Sequence, residues 1–533
     1  MRSFRHYWPI LVIGLLVLPN AKVLAESAVN HSNSQGAERR AIWVIFHDKG
    51  QGEEAYHRGM ITAPHVSQRA IERRLLRGTR DILNYMDVEI PDAYIQQVLQ
   101  SGVEIRVISR WFNAISVLAN EQEESYINNL PMVKKTKRVM RVSRRFLKKV
   151  QRNPDQLNDD NEIFEDYGNS YAQLEQINAI SAHDSGYSGD GVWVLMLDTG
   201  YLTSHAVFQT DRIVAEYDFI QDDSVTTNQD GDFSDQHNHG TATASVVGGY
   251  SPGNLLGVAF NCSFLLAKTE IVDEEAQIEE DYYVAGLEWG EALGADVVSS
   301  SLGYIDWYTF DQMDGQTALT TQAVDIAASL GMVCVTAAGN ERGSNWGHII
   351  SPADADSVIS VGAVNSEGVL ASFSSPGPTA DGRIKPEVVA RGVYTQAAGT
   401  SADDSFITAS GTSLSTPLIA GASALILEAH PDWNPMMVRE ALMMTASQAI
   451  SPDNDYGYGL IDLAAAINYS FEIDQGDISQ DGLINVSDVI LLLDWILSDM
   501  TLTPNQIERA DLNQDSIINV LDVVQLVEAI LTF

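Results

Sequence analysis

Apolar runs and helical patterns alternate through the middle of the chain. Residues 191–198 (GVWVLMLD) are almost continuously apolar, which is typical of a strand that is buried on both faces of a parallel sheet. Four more strands of this kind are predicted, at 264–268, 295–299, 332–337 and 358–361. Helical patterns lie between them, for example at 241–247 and 320–329. This alternation predicts an α/β domain with a doubly wound parallel sheet.

The N-terminal part combines an export signal with a small unit. Arg2 and Arg5 precede an apolar run that ends near residue 18, and small residues at 23–25 offer a cleavage site. A signal peptide is the preferred interpretation, and an uncleaved membrane anchor is the alternative. Strands are expected at 41–46, 103–108 and 114–118, and helices at 67–76 and 92–100, which indicates an α+β unit. The unit ends in a basic tract, 134–152, that predicts a mobile, protease-sensitive linker.

The C-terminal residues contain a repeat. Residues 477–488 (DISQDGLINVSD) and 511–522 (DLNQDSIINVLD) are the same twelve-residue pattern, 34 positions apart. Each continues into an apolar helical segment, so that a separate, small all-α domain is expected. These patterns divide the chain into four parts, 1–25, 26–152, 153–470 and 471–533.

Charge follows the same division. Residues 1–152 hold 24 Lys and Arg against 14 Asp and Glu, a balance of +10, whereas the remaining residues hold 8 against 58, a balance of −50. The acidic body would repel phosphates, which argues against nucleic acid as its partner. The basic and acidic parts are expected to attract each other.

The chain has two cysteines, Cys262 and Cys334, which are too few for a disulfide scaffold. Each lies in an apolar stretch, where a thiol behaves as a small hydrophobic group. Two buried free thiols are therefore predicted, with a bridge between them as the alternative.

Three side chains suited to catalysis stand at the ends of predicted elements. Asp198 ends the first buried strand, where the chemistry of open α/β sheets is found, although a lone Asp there is more often a turn cap. His239 follows His237 in a His-Asn-His-Gly-Thr segment before a helix of small residues, which leaves a zinc site as an alternative. Ser413 opens an apolar helix, whose dipole and free N–H groups favour negative charge; an N-capping serine is the alternative.

Four motifs resemble those of the subtilisin-like (subtilase) serine peptidases, namely DTG (198–200), HGT (239–241), AAGN (337–340) and GTSLSTP (411–417). They occur in the family's order Asp, His, Ser. The resemblance implies that Ser413 attacks the scissile carbonyl, that His239 transfers its proton and that Asp198 orients the imidazole. It also implies that Asn340 donates to the oxyanion together with the Ser413 N–H.

The resemblance further implies a substrate cleft. Ser301, Leu302 and Gly303 match an edge strand that pairs with an extended peptide, although a core strand end is the alternative. Ala338 and Gly339 are expected to line the same cleft, with an open pocket that tolerates apolar side chains.

Two departures from the family pattern stand near the catalytic residues. The helix after His239 reads GTATAS, where the family often has a second histidine and Val-Ala-Gly. Leu414 and Ser415 replace Met-Ala after the nucleophile. Neither change is expected to touch a reacting atom.

Residues 26–152 occupy the place of the family's propeptide, which assists folding and blocks the active site until it is removed. This segment has a balance of +7, from 21 basic and 14 acidic residues. It is therefore expected to dock on the acidic body and to inhibit it less as salt rises. A merely attached N-terminal domain is the alternative.

The C-terminal repeats resemble the calcium loops of dockerin domains, which implies structural Ca²⁺ that the chemistry does not require. Ligands are expected at loop positions 1, 3, 5, 7, 9 and 12. In the first loop these are Asp477, Ser479, Asp481, the Leu483 carbonyl, Asn485 and Asp488, and in the second Asp511, Asn513, Asp515, the Ile517 carbonyl, Asn519 and Asp522. Ser516 replaces the turn glycine of the second loop, which should cost affinity through backbone strain.

The partner of this domain stays open. Loop positions 10 and 11 are Val486-Ser487 and Val520-Leu521, which are more apolar than the usual dockerin pattern for a cohesin. A cohesin-like partner, an intramolecular dock and a surface-retention signal are the alternatives. A further calcium site among the acids at 222, 223, 230 and 232 is less favoured than an acidic, solvated loop.

Together these observations predict an extracellular serine endopeptidase that is secreted as a propeptide-inhibited precursor and acts on polypeptides. A cell-surface association through the C-terminal domain fits the same pattern, whereas a stable membrane anchor and a nucleic-acid partner do not. The alternative class is a binding protein with a catalytically silent subtilase fold. Because the three triad positions and Asn340 are all filled, the enzyme is favoured.

Overall fold

A computed structural model describes residues 39–50, 63–79, 82–139, 166–272, 276–471, 475–479, 484–497 and 504–532. The predicted signal peptide lies outside these residues, as do the basic tract beyond residue 139 and the two first-loop ligands at 481 and 483.

The N-terminal unit is a four-stranded antiparallel sheet with helices. Its strands are β1 (Arg40–Phe46), β2 (Glu104–Ser109), β3 (Ala114–Ala119) and β4 (Val133–Arg138), in the order β2-β3-β1-β4. Its helices are α1 (Gln68–Leu76), α2 (Asp92–Leu99) and α3 (Glu121–Asn128). The Ser67 hydroxyl caps α1, and Asn120 forms a capping box at the start of α3, which satisfies backbone donors that a helix start leaves open.

The first residues of the basic tract form a strand, so the prediction of a mobile linker is wrong for residues 134–138. β4 pairs with β1 along its length and forms an edge of the sheet. Most of its charged side chains are exposed, and lysines are common on edge strands because they discourage pairing with other chains. The charged residues therefore gave no apolar pattern from which to predict β4, which pairs with β1 through main-chain hydrogen bonds.

The central domain contains eleven strands within the described residues. They are β5 (Trp193–Asp198), β6 (Ile213–Asp218), β7 (Tyr250–Ser251), β8 (Leu255–Leu256), β9 (Ser263–Lys268), β10 (Val297–Ser300), β11 (Val333–Ala337), β12 (Val358–Val364), β13 (Val388–Arg391), β14 (Thr395–Ala398) and β15 (Phe406–Ala409). Seven of them form one parallel sheet in the order β13-β12-β11-β10-β5-β9-β6. The predicted doubly wound α/β fold is confirmed.

Helices cover both faces of this sheet. They are α4 (Tyr171–Gln176), α5 (Ala179–Asp184), α6 (Asn238–Gly248), α7 (Ile278–Leu293), α8 (Leu319–Ser329), α9 (Thr412–Ala429), α10 (Pro435–Met444) and α11 (Leu463–Ile467). One apolar layer joins the sheet to α6 and α9, and the other joins it to α7 and α8. Among the described helices, α9 alone is long and apolar enough to cross a membrane, but 83% of it is buried inside the domain.

Both cysteines are buried and free. Cys334 lies in β11, as predicted for a strand, whereas Cys262 stands just before β9. The alternative of a bridge between them is therefore not realised.

The C-terminal domain consists of α12 (Val486–Leu497), α13 (Pro504–Ala510) and α14 (Val520–Thr532) in the described residues. α12 packs against α14. Leu492 and Leu526, which occupy equivalent positions of the repeat, are fully buried in the small core.

The N-terminal unit docks on α7 of the central domain. The Trp43 indole and the Ser116 hydroxyl donate to the Asp281 carboxylate, over 2.7 and 2.6 Å. Further along α7, the Ser109 hydroxyl donates to Glu288. Buried polar contacts therefore hold the sheet of the unit against the helix.

A second contact is made by α1 and the residue that follows it. Four arginines reach the end of α7 and the amino-terminal edge of the parallel sheet, namely Arg69, Arg73, Arg74 and Arg77. Arg73 and Arg74 form buried ion pairs with Glu291. Arg69 and Arg77 pair with Asp296, just before β10. This contact is at the opposite edge of the sheet from the strand ends that carry the predicted catalytic residues.

Candidate active site

Asp198 ends β5, at the carboxyl edge of the sheet, and its side chain is fully buried. Its Oδ1 atom accepts hydrogen bonds from the Thr199 N–H and from Nδ1 of His239, both over 2.7 Å. The strand end and the following turn thus fix the carboxylate, and the carboxylate fixes the imidazole with its Nε2 edge away from Asp198.

His239 lies in the first turn of α6, and the residue after it explains how the helix comes so close to the strand. A Cβ on Gly240 would stand 2.3 Å from the Gly200 carbonyl oxygen and 3.0 Å from the Asp198 Cβ. Any side chain at position 240 would push α6 away from β5, so the glycine permits the hydrogen bond between His239 and Asp198.

Ser413 lies in the first turn of α9, which packs against α6. Its hydroxyl donates to the Ser301 carbonyl over 3.4 Å, and the Ser301 hydroxyl donates to the Ser413 carbonyl over 3.0 Å. Of the two hydrogen bonds that the predicted triad requires, the bond between Asp198 and His239 is formed in this structure. The Ser413 hydroxyl has Ser301 as its partner instead of His239.

Asn340 is anchored beside Ser413. Its Oδ1 atom accepts from the N–H and the hydroxyl of Thr412, over 2.9 and 3.1 Å, which leaves the amide Nδ2 to donate elsewhere. Gly411 has a φ of +153°, and a Cβ there would stand 3.7 Å from the Ser413 nitrogen and 3.8 Å from Asn340 Nδ2. The Ser413 nitrogen and the Asn340 side-chain amide therefore both border the space that the glycine leaves open.

The predicted substrate residues stand on two segments beside these donors. The last ladder pairs of β10 are made by Ser300, so Ser301, Leu302 and Gly303 run beyond the parallel sheet. Ala338 and Gly339 follow β11 and are held by the Ile350 N–H, which donates to the Ala338 carbonyl over 3.2 Å.

One contact to the Asp198 carboxylate was missed from the sequence. The Thr243 hydroxyl, buried in α6, lies 2.9 Å from Asp198 Oδ2 and 3.1 Å from the Gly240 carbonyl; the carboxylate is the stronger acceptor. Thr243 belongs to the GTATAS departure, which therefore contacts the carboxylate that is expected to orient His239. Thr243 lies four residues after His239 on the same face of α6, and this spacing is the sequence signal that could have indicated the contact.

The two histidines of the zinc alternative have different partners. His237 Nδ1 accepts from the Asn228 N–H over 3.2 Å, whereas His239 Nδ1 faces Asp198. Among the described residues, which include the second C-terminal loop, no group of three or more His, Cys, Asp or Glu side chains converges as metal ligands, so a calcium ion in that loop would have to draw its carboxylates together.

A lysine occupies the acidic region in which a further calcium site was weighed. The fully buried Lys268 ammonium pairs with Asp218 and Asp232, each over 2.7 Å. A protein cation therefore balances the local carboxylates, and this part of the loop is not simply solvated.

In the described parts of both C-terminal loops, the last Asp accepts hydrogen bonds from backbone N–H groups earlier in the same loop. In the first loop, the Ser479 and Asn485 N–H groups donate to the two oxygens of Asp488, over 2.8 and 2.9 Å. In the second, Asn519 N–H donates to Asp522 over 2.8 Å. The Ser516 φ is +62°, in the left-handed region that was expected to strain this residue.

Comparisons with known proteins agree with this arrangement. A family model described as the Subtilase family matches residues 189–459. A second, the Peptidase S8 propeptide domain of Bacteroidota, matches 41–156, and a third, the Dockerin type I domain, matches 475–531.

Curated relatives match the central domain. Subtilisin DY of Bacillus licheniformis is 36% identical over 293 residues, which is 54% of this chain and 96% of that protein. Subtilisin E of Bacillus subtilis (strain 168) is 34% identical over 295 residues, which is 55% of this chain and 70% of that protein. A solved protease from Pseudoalteromonas arctica has 25% identity and a TM-score of 0.46, covering 57% of this chain and 99% of that one.

The chain belongs to the subtilase family. It is a serine-type endopeptidase, a hydrolase, that is made as a precursor with a propeptide and that carries a dockerin domain. The predicted resemblance is confirmed for the propeptide, the peptidase domain and the dockerin domain.

Proposed function

We propose that this protein is a secreted endopeptidase that cleaves peptide bonds in proteins through Ser413, His239 and Asp198 and an acyl-enzyme intermediate. The observation that carries the proposal is the 2.7 Å hydrogen bond between Asp198 and His239, at the sheet edge where α9 presents Ser413. A buried carboxylate on Nδ1 fixes the tautomer in which Nε2 is free to accept a proton.

In the first step, His239 removes the Ser413 proton while the oxygen attacks the scissile carbonyl. The hydroxyl must first exchange its Ser301 partner for His239, and such bonds tighten when substrate binds. The Asp198 charge then stabilises the imidazolium, which gives the proton to the leaving amine. Water repeats the sequence on the acyl-enzyme and releases the new carboxyl end.

The carbonyl oxygen becomes negatively charged in both steps, and Asn340 and the Ser413 N–H are the proposed donors to it. Support comes from their common position beside the open space at Gly411 and from the two Thr412 bonds that hold the Asn340 side chain. Donors fixed before the reaction stabilise the transition state without reorganisation; loss of such a donor in subtilisin lowers kcat about 10²- to 10³-fold.

The substrate is proposed to bind as an added strand. Ser301, Leu302 and Gly303 extend past the last ladder pair of β10, and an extended peptide can pair with such a segment through its main chain. Ala338 and Gly339 form the opposite wall. This arrangement supports endopeptidase action on unfolded or exposed segments, because both sides of the scissile bond need extended chain.

Residues 26–152 are proposed to be the inhibitory propeptide, with export directed by residues 1–25. The docking of the N-terminal unit on α7 supports this division, because its polar side chains are matched by buried carboxylates of the mature part. The mature enzyme would then comprise 153–470 and the dockerin domain 471–533.

Labelling with a fluorophosphonate probe tests the proposed chemistry. The processed, secreted protein should be labelled at Ser413, and Ser413→Ala should abolish both labelling and casein hydrolysis. Thr412→Ser is the matched control, since it alters the neighbouring residue and keeps both of its bonds to Asn340. A processed protein that resists the probe and cleaves no protein substrate would instead favour the silent binding protein.

The C-terminal loops are proposed to hold structural Ca²⁺. Dockerin type I domains bind calcium, and the second loop offers carboxylate, amide and carbonyl oxygens, which suit a hard cation. The proposed ligands in both loops are those predicted above, from Asp477 to Asp488 and from Asp511 to Asp522. Full-length protein should unfold at a lower temperature in EDTA, and Asp515→Asn should reduce that difference.

The dockerin domain is proposed to attach the enzyme to a cohesin-like partner outside the cell. Equivalent positions of the two repeats carry exposed apolar side chains, namely Val486, Ile490, Leu493 and Leu497 in the first and Val520, Val524, Val527 and Leu531 in the second. Exposed apolar patches of this kind mark interaction surfaces. An apolar partner surface is therefore favoured over the polar contacts that the usual loop pattern implies.

A further inference from the structure

The side chain of Ile350 lies between the two walls of the substrate cleft. A Cβ on Gly303 would stand 2.2 Å from Ile350 Cδ1 and 2.5 Å from Cγ1. On the other wall, a Cβ on Gly339 would stand 2.8 Å from the Ser375 hydroxyl oxygen, 3.0 Å from Ile350 Cγ2 and 3.1 Å from Ile350 Cδ1. The absence of side chains at both glycines therefore leaves a gap, and Ile350 fills it.

The backbone on either side holds Ile350 in this gap. The Ile350 N–H donates to the Ala338 carbonyl over 3.2 Å, and the Tyr304 N–H donates to the Ser351 carbonyl over 2.9 Å. The first bond ties the residue to one wall and the second ties its neighbour to the other. Ile350 is 9% exposed and Ile349 is fully buried, so neighbouring atoms enclose nearly all of the Ile350 side chain.

The gap is the space that one side chain of the substrate needs. The peptide backbone is proposed to run along Ser301–Gly303, and its reacting carbonyl to point at Asn340, which directly follows Gly339. The side chain of the residue that supplies this carbonyl, here called the acyl-side residue, then extends between the two glycine walls.

We propose that Ile350 closes this pocket, so that the enzyme cleaves after small acyl-side residues, namely glycine, alanine and serine. The inference rests on the proposed function, because it takes the position of the scissile carbonyl from it. It also replaces the open, apolar-tolerant pocket that was expected from residues 337–339. A large side chain would overlap Ile350, and overpacked sites yield only by moving backbone.

Specificity is a ratio of kcat/KM values, so the test uses matched peptides that differ only at the acyl-side residue. The processed full-length enzyme should cleave the alanine peptide at least about 100-fold faster, in kcat/KM, than the phenylalanine peptide, since several carbon atoms have no space. In Ile350→Gly and Ile350→Ala, kcat/KM for the phenylalanine peptide should rise at least about 30-fold relative to kcat/KM for the alanine peptide.

Ile326→Ala is the matched control. It removes the same atoms from a half-buried isoleucine on α8, remote from the cleft, and should leave the ratio unchanged. If the glycine variant does not fold, the wild-type ratio and the Ile350→Val variant still test the proposal. Loss of one methyl group should raise kcat/KM for the leucine peptide relative to kcat/KM for the alanine peptide.

A wild-type enzyme that prefers phenylalanine or leucine would overturn the proposal, as would variants at 350 that leave the ratio unchanged. Failure of the proposed function looks different. In that case no peptide of the series would be cleaved in a Ser413-dependent manner, whatever its acyl-side residue.

Discussion

At the scale of single residues, hydrogen-bond donors hold both oxygens of the Asp198 carboxylate in place. The Thr199 N–H and His239 occupy Oδ1, and the Thr243 hydroxyl faces Oδ2. A neutral donor on Oδ2 withdraws negative charge from the carboxylate that supports the imidazolium. We therefore expect Thr243 to be a positioning residue that acts on the proposed chemistry through Asp198.

Thr243→Val, which keeps the shape of the side chain, should lower kcat about tenfold with little change in KM, since about 1.4 kcal/mol of orientation would be lost. Steady-state kinetics measure kcat and KM separately.

Thr243→Ser supplies the control for this prediction, because it restores the hydroxyl and should restore kcat. A valine variant with an unchanged kcat, or a serine variant as impaired as valine, would show that the hydroxyl of residue 243 does not position Asp198.

Some residue roles could be read from the sequence and others could not. Asp198, His239, Asn340 and Ser413 lie in short motifs, so their roles can be proposed from their types and neighbours. Thr243 and Ile350 depend on which segments meet in space. No pattern near residue 350 indicates that its side chain would enter a gap between Gly303 and Gly339.

At the scale of secondary-structure elements, five of the seven strands of the parallel sheet were predicted within a few residues from their apolar runs. The two edge strands, β6 and β13, were not predicted. β6 (IVAEYD) is largely half-buried, which leaves polar residues in its pattern, whereas β13 (VVAR) is buried but only four residues long. β4 was missed because its lysines resemble a linker.

The contact made by α1 gives a prediction at this scale. Arg77 follows α1, and its guanidinium donates to the Asp296 carboxylate over 2.8 Å and to the Gly331 carbonyl over 2.7 Å, in a buried site. Arg77→Ala should weaken inhibition by the added propeptide by at least about 30-fold, mainly through faster dissociation, because Asp296 loses a buried partner. Inhibition and dissociation kinetics of the mature enzyme measure this.

Arg138→Ala is the matched control, since Arg138 is half exposed and pairs with Glu124 inside the propeptide. Its effect on inhibition should be small. Equal effects of the two substitutions would mean that total charge, and not the buried contact, determines the affinity.

At the scale of the whole molecule, a basic propeptide covers an acidic body. The attraction should speed association and weaken with salt, as expected from the charge balance. Arg73, Arg74 and Glu291 are nearly inaccessible to water, so salt should change their contribution to dissociation much less.

Release of the propeptide should also depend on pH. Burial raises the pKa of Asp281 to about 6, against the lowering effects of Arg106, Ser116 and Trp43. Burial likewise raises the pKa of the neighbouring Glu280 to about 7. When the propeptide leaves, Asp281 returns toward its usual pKa of about 3.9.

The complex thus binds the Asp281 proton more tightly than the separated parts do. Its affinity is highest at low pH and falls as pH rises from about 4 through 6. Between pH 5 and pH 8 the inhibition constant should rise about tenfold through Asp281 alone. Asp281→Asn should make the inhibition constant nearly independent of pH over this range. A wild-type inhibition constant that falls or stays level between pH 5 and pH 8 would contradict the predicted direction.

The central claim is that His239 and Ser413 act as one unit, and the most direct measurement is kcat/KM for His239→Ala, Ser413→Ala and the double variant in processed enzyme. Residues that act together are non-additive, so the account predicts that the double variant is about as slow as either single variant. Losses that multiply, or a His239→Ala enzyme that keeps near wild-type activity, would contradict it.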